Sequence, residues 1–220
     1  MTRGERAIIF DVDGTLVDSN DAHALAWTEA LAAFGVTSDV TAVRRSIGMG
    51  GDKLLAKVAG LSADSDLGRR IVDRRTQRFR ETLLKKVQAF PGTRALFRTL
   101  VEDGVKIGIA SSAPADELGS LLKIAEVSDL IDQRSSSDDV KSSKPDPDVV
   151  KAALHRLHAR PEDAIMVGDT PYDVEAAKRA GVRSIAFRCG GWGDSDLAGT
   201  IAIYDGPENM LAHYRRRTWQ

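Results

Sequence analysis

A single cysteine, Cys189, stands in the 220 residues, so no internal disulfide can form and a reducing compartment suits the chain. Nothing beside it resembles a positioned base, and it reads as a small unreactive residue rather than a catalytic thiol. No run approaches the roughly 20 apolar residues of a membrane helix. The apolar stretch of the N-terminal "MTRGERAIIF" is four residues, short of the roughly 7–15 of a signal-peptide core. Net charge is lacking as well: 31 Lys and Arg against 32 Asp and Glu leave −1, which offers no electrostatic reason to expect nucleic acid or an anionic membrane as partner. Internal repeats and low-complexity linkers are missing too. The expectation is a cytoplasmic globular protein, monomeric, whose function rests on local sites.

What is present is ordinary in amount, with 42% apolar and 29% charged residues, and informative in arrangement. The length exceeds the roughly 100–150 residues of a common single domain, which predicts one large domain or one carrying an insertion. Four short apolar runs read as strands buried on both faces: "AIIF" at 7–10, "VKIGIA" at 105–110, "AIMV" at 164–167 and "RSIAF" at 183–187. Helical patterns lie between the later ones, with Pro114, Pro147 and Pro171 placed for first helical turns. Strands alternating with helices predict an α/β fold, a doubly wound and mostly parallel sheet. Residues 20–86 break the alternation. Trp27, Leu31 and Phe34 at i, i+4 and i+7, then Ile71, Phe79 and Leu83 among many charges, predict a helical insertion. The arginines of 69–80 read as its solvated face.

Polar residues gather after the predicted strands: "DVDGT" after the first, "SS" after the second, "GDTPYD" after "AIMV", with "SKPDPD" ahead of a helix. Ligands bind outside the carboxyl ends of the strands in such sheets, so separate loops deliver these groups to one crevice. If Asp11, Asp13, Asp169 and Asp173 converge there, their mutual repulsion calls for a cation. A hard divalent ion, Mg²⁺, takes carboxylate oxygens and leaves room for waters and a phosphate oxygen. Lys144 would add positive charge, since Asp146 and Pro147 behind it read as a helix cap and first helical position near the crevice. Gly14 permits the sharp turn that aims neighbouring carboxylates at one target. One carboxylate attacking phosphorus while the other moves a proton splits hydrolysis through an aspartyl-phosphate. Ser111, or its neighbour Ser112, ends a strand just before a helix start, where backbone N–H groups favour an anion. Taken alone, Ser111 would read as a helix cap.

"DVDGTLVDS", "ASS", "KPDPD" and "GDTPYDVEAAKRAG", in this order, resemble the four motifs of the haloacid dehalogenase-like hydrolase superfamily, across essentially the whole chain. The insertion resembles the helical cap of the subfamily that includes phosphoglycolate phosphatases and β-phosphoglucomutases. The resemblance implies a Rossmann-like catalytic core at 1–17 and 89–220 and a cap at 18–88. It implies Asp11 as nucleophile, Asp13 as general acid/base, and Ser111 and Lys144 as phosphate-holding residues. Mg²⁺ would be held by the Asp11 and Asp169 side chains and the Asp13 carbonyl, with Asp173 in support and Thr15 steadying the loop among the substrate-side residues. His23 matches a histidine that such caps turn toward the active site, and "SIGMGGDKLL" at 46–55, with Gly50 and Lys53, resembles the cap loop of phosphoglycolate-type enzymes. A flexible turn accounts equally for that stretch.

The expected activity is a Mg²⁺-dependent phosphatase acting on a small phosphorylated metabolite, similar to phosphoglycolate or a sugar phosphate. A β-phosphoglucomutase would present an arginine where this chain has Gly50. A 2-haloacid dehalogenase attacks carbon and has no need of the acid at Asp13. A non-catalytic scaffold could discard parts that this chain retains.

Overall fold

The computed structural model describes residues 7–140 and 142–215. Six parallel strands form one sheet: β1 (Ala7–Phe10), β2 (Lys106–Ala110), β3 (Gln133–Ser135), β4 (Ala164–Gly168), β5 (Arg183–Phe187) and β6 (Ala202–Tyr204), in the order β3-β2-β1-β4-β5-β6. The α/β doubly wound sheet expected from sequence is the observed fold. The chain adds strands outward on one side of β1, then crosses to β4 and adds them outward on the other. The reversal therefore falls between β1 and β4, where a crevice opens beyond the strand ends.

The four-residue strand β1 is apolar at every position because helices cover both sheet faces. Ala7 and Ile9 join Met166 beneath α7 (Asp148–Leu157) and α8 (Pro171–Arg179). On the opposite face the Phe10 ring lies 4.6 Å from that of Phe97 on α5 (Thr93–Glu102). Burying each of the larger side chains contributes about 1.5–3 kcal/mol, so the strand that carries Asp11 is firmly anchored on both faces. α6 (Ala115–Ile124) and α9 (Pro207–Arg215) complete the helices of this unit.

Two strands escaped the sequence reading. Gln133–Ser135 is a three-residue edge strand with two exposed residues and no apolar pattern, whereas Ala202–Tyr204 is apolar but equally short. Pairing with a formed neighbour makes them strands. The prolines also divide. Pro171 is the first residue of α8, within a capping box of Thr170 and Asp173, whereas Pro114 and Pro147 sit one residue ahead of α6 and α7. Asp146 does not cap its helix as expected; its carboxylate pairs with Arg179 at 3.0 Å.

The chain separates into two compact units, 1–18 with 88–220 and 19–87. The second contains α1 (Asn20–Ala33), α2 (Val40–Arg44), α3 (Gly51–Ala59) and α4 (Asp66–Arg78), continued by a π-helical turn at Phe79–Leu83. Trp27, Leu31, Leu54, Leu55 and Ile71 form its core. Where the chain leaves the first unit and returns, Val17 bridges Ala89 and the Asp18 N–H donates to the Gln88 carbonyl.

Candidate active site

Asp11 is the first residue after β1, and its N–H still donates to the Val167 carbonyl of β4. Asp169 is the first residue after β4. Because these strands are neighbours in the sheet, two aspartates separated by 158 positions in sequence emerge side by side. The loop after Asp11 is tight: the Gly14 N–H donates to the Val17 carbonyl, and Gly14 holds φ at +76°, a conformation that favours glycine.

Lys144 is fully buried, and its ammonium donates to Asp11 Oδ1 at 2.5 Å and to Asp173 Oδ1 at 2.8 Å. A buried ammonium without anions would carry a desolvation cost of several kcal/mol. Burial acts to lower its pKa, but the carboxylates of Asp11 and Asp173 outweigh burial and hold it above the ordinary lysine range. The lysine therefore stays charged. The Asp11 carboxyl moves the other way, up to about 7, because burial, then repulsion from Asp173 and Asp13, outweighs Lys144. Asp11 thus favours a proton unless further positive charge arrives.

Asp173 has both oxygens occupied. Oδ1 accepts from Lys144, while Oδ2 accepts from the Thr170 N–H at 3.1 Å and the Thr170 hydroxyl at 2.6 Å. The capping box of α8 thereby orients the carboxylate that orients the lysine. Gly168 is pressed against this side chain, where a Cβ would come within 2.4 Å of Asp173 Cγ. Oxygens of Asp11, Asp169 and Asp173 can all lie within 4.8 Å of one another. This buried all-oxygen donor set could hold a hard divalent cation.

Thr15, expected among the substrate-side residues, is fully buried, and its hydroxyl lies 3.2 Å from Asp11 Oδ2 and 3.0 Å from Asp169 Oδ1. It spaces two carboxylates. Asp13 is half-buried in the same loop. Ser111 is buried just past β2; its N–H donates to the Ser135 carbonyl, and its Oγ accepts from the Ala113 N–H at 3.0 Å. The buried Ser112 Oγ has no hydrogen-bond partner among the described residues.

The family model for haloacid dehalogenase-like hydrolases matches residues 8–187 of this chain. The chain belongs to that family. Among its relatives, the phosphoglycolate phosphatase of Rhodospirillum rubrum is 31% identical over 210 residues, 91% of this chain and 87% of that protein. A phosphorylated carbohydrates phosphatase of Thermotoga maritima is 28% identical over 93% of this chain and 96% of its own. The crystal structure of a hydrolase from Pseudomonas syringae matches with a TM-score of 0.89 at 31% identity, covering 96% of this chain and 98% of that one. The protein is an enzyme, a phosphatase of the haloacid dehalogenase-like type.

The remaining candidates lie in the helical unit. His23 is buried on α1, stacked on Phe79 with ring centroids 4.0 Å apart, and its Nδ1 lies 2.6 Å from an Arg75 guanidinium nitrogen. A guanidinium has only donors, so Nδ1 is the acceptor of this pair. The solvated-face reading of the 69–80 arginines therefore fails at Arg75, which is buried and lies over the rings of Trp27 and Phe79. Its signal was position: Arg75 follows Ile71 by one helical turn, on the apolar side of α4. Gly50 is the extended residue preceding α3, and Lys53 lies half-buried on its first turn. The 46–55 stretch is thus part turn and part helix, with Gly51 so close to Trp27 that a Cβ would meet the indole at 3.0 Å. Cys189 is half-buried, and burial followed by the nearby Asp169 charge pushes its thiol above the ordinary range. It stays an unreactive thiol. Among the described residues, no helix is long and apolar enough to cross a membrane.

Proposed function

We propose that the protein is a Mg²⁺-dependent phosphomonoesterase working through an aspartyl-phosphate on Asp11, with a small phosphorylated carboxylic acid or sugar as substrate. The observation that carries this reading is the buried Lys144 bridging Asp11 and Asp173 beside Asp169. Packing has no need of such a charge network, and replacing buried ion pairs by apolar residues is often neutral or stabilising. The relatives' names, a phosphoglycolate phosphatase and a phosphorylated carbohydrates phosphatase, support the substrate class.

Mg²⁺ would be held by the Asp11 and Asp169 side chains and the Asp13 carbonyl. When bound, it supplies positive charge to the carboxylates and to the phosphate oxygens. Asp11 Oδ attacks phosphorus as the bond to the leaving oxygen breaks, and Asp13 gives that oxygen its proton. Asp13 then takes a proton from water, whose oxygen attacks phosphorus and releases Asp11 with inorganic phosphate. Lys144 and Ser111 hold the phosphate oxygens, Asp173 holds Lys144, and Thr15 keeps the Asp11 and Asp169 carboxylates at a fixed spacing. His23, Gly50, Lys53 and Ser112 are assigned to substrate recognition.

The test is hydrolysis of an aryl phosphate with Mg²⁺, in chelator, and by Asp11→Asn. Activity lost in chelator and in the variant supports the reading; equal activity of variant and wild type would sink the nucleophile assignment. A panel of metabolite phosphates ranked by kcat/KM then settles the substrate class.

A further inference from the structure

Within the sheet unit, four segments supply the site side chains described above: 11–15, 111–112, 144 and 169–173. We propose that the turn after β5, residues 188–192, is a fifth segment of the active site, and that Gly190 is a positioning residue holding the Asp169 carboxylate for a divalent cation. The inference rests on the metal reading above and adds to it the part that keeps one ligand in place.

Gly190 is buried with its backbone against Asp169: a Cβ there would lie 1.8 Å from Oδ2, 2.4 Å from Cγ and 2.5 Å from Cβ. Rotating the carboxylate does not clear an overlap that includes its Cβ. Only a glycine lets the backbone come this near. On the other side, Asp169 Oδ1 meets the Thr15 hydroxyl at 3.0 Å. The carboxylate is therefore confined between a hydroxyl from the β1 loop and backbone from the β5 turn.

Two further contacts tie the same turn to the loops that carry the site. The Cys189 thiol donates to the Gly14 carbonyl at 3.3 Å, next to the peptide that carries the Asp13 carbonyl. Trp192 meets Tyr172 of the "GDTPYD" loop edge-on, with centroids 6.1 Å apart. The turn is itself anchored, since Arg188 donates to Asp194 at 2.6 Å and to Asp205 at 2.7 Å. A ligand confined in this way is already ordered before a cation binds, which is how outer contacts raise metal affinity.

The experiment is a titration of the full-length protein with Mg²⁺ alone, followed by calorimetry and by the rise in thermal unfolding midpoint. Gly190→Ala is expected to weaken Mg²⁺ at least tenfold. Gly193→Ala, just beyond that segment and with its nearest contact at an ordinary 3.6 Å from Asp196 Oδ2, is expected to match wild type. A folded Gly190→Ala that binds Mg²⁺ within twofold of wild type overturns the inference. If that variant does not fold, the pair Gly190→Ala with Asp169→Gly, which removes the overlapped atoms, decides: recovered circular dichroism supports the contact, and continued unfolding overturns it. A wild type that does not bind Mg²⁺ overturns the metal reading and this inference together, whereas equal binding by wild type and Gly190→Ala overturns this inference alone.

Discussion

The sheet unit and the helical insertion both bury charge, in opposite surroundings. At the ends of β1 and β4, Lys144 is matched by the carboxylates of Asp11 and Asp173, each hydrogen-bonded in turn to a threonine. In the insertion Arg75 lies over the rings of Trp27 and Phe79 and donates to the imidazole of His23. The first arrangement is a network of opposite charges in low dielectric, where losing one member exposes the others to uncompensated desolvation. The second is cushioned by polarisable rings, and its cation has less to lose. Reaction chemistry requires the first kind of environment.

Asp11→Asn should break the sheet unit's chemistry most completely, with aryl phosphate turnover in Mg²⁺ falling roughly 10⁴-fold or more while circular dichroism stays unchanged. Lys144→Ala should strike stability, because it leaves Asp11 and Asp173 buried without their cation; a loss of about 3–5 kcal/mol is expected in urea unfolding of the metal-free protein. A loss no larger than that from a surface lysine would end the contrast between the two regions.

A pH series sharpens the same comparison. In the folded, metal-free protein Asp11 keeps its proton up to about 7, whereas an unfolded aspartate loses it near about 4. Between those values the folded state binds the additional proton, so the contribution of Asp11 to stability is full below about 4 and is lost as pH rises through about 7. The thermal midpoint of wild type should fall across this window more than that of Asp11→Asn. Saturating Mg²⁺ should flatten the difference, because the cation competes with the proton.

Arg75→Gln in the insertion should have the smallest effect. Loss of the ring contacts and of the His23 hydrogen bond should lower stability by about 1–2 kcal/mol, measured by urea unfolding. Aryl phosphate kcat should stay within about threefold of wild type, while relative kcat/KM across metabolite phosphates shifts by about tenfold. A kcat loss comparable to that of Asp11→Asn would place Arg75 in the chemistry and erase the distinction drawn above.

The sheet unit was far more legible than the insertion. Strands such as Ala7–Phe10 are apolar at every position because both faces are covered, and a polar loop directly behind such a run stands out. Asp11, Asp169 and Asp173 were readable for that reason, and Lys144 by its place just ahead of a helix start. The edge strand Gln133–Ser135 was not, since an exposed edge imposes no apolar pattern. Arg75 was hidden among the arginines of α4, where composition indicates a solvated face and only helical phase separates the buried member from the exposed ones. Gly190 carried a still weaker signal, two glycines after a strand, a pattern that ordinarily marks a turn.

By itself the sequence determined the order of elements, the position of the insertion and the residue types present at each strand end, because local apolar periodicity and turn chemistry act over a few neighbours. Tertiary structure alone decided which of those residues meet. That β1 and β4 lie side by side, and that the hydroxyl of Thr15 lies between Asp11 and Asp169, depend on strand pairing between segments more than 150 positions apart, while the closing of backbone at Gly190 on Asp169 depends on the pairing of β4 with β5. Proximity on that scale is set by how helices cover two sheet faces at once, a property of the packed whole.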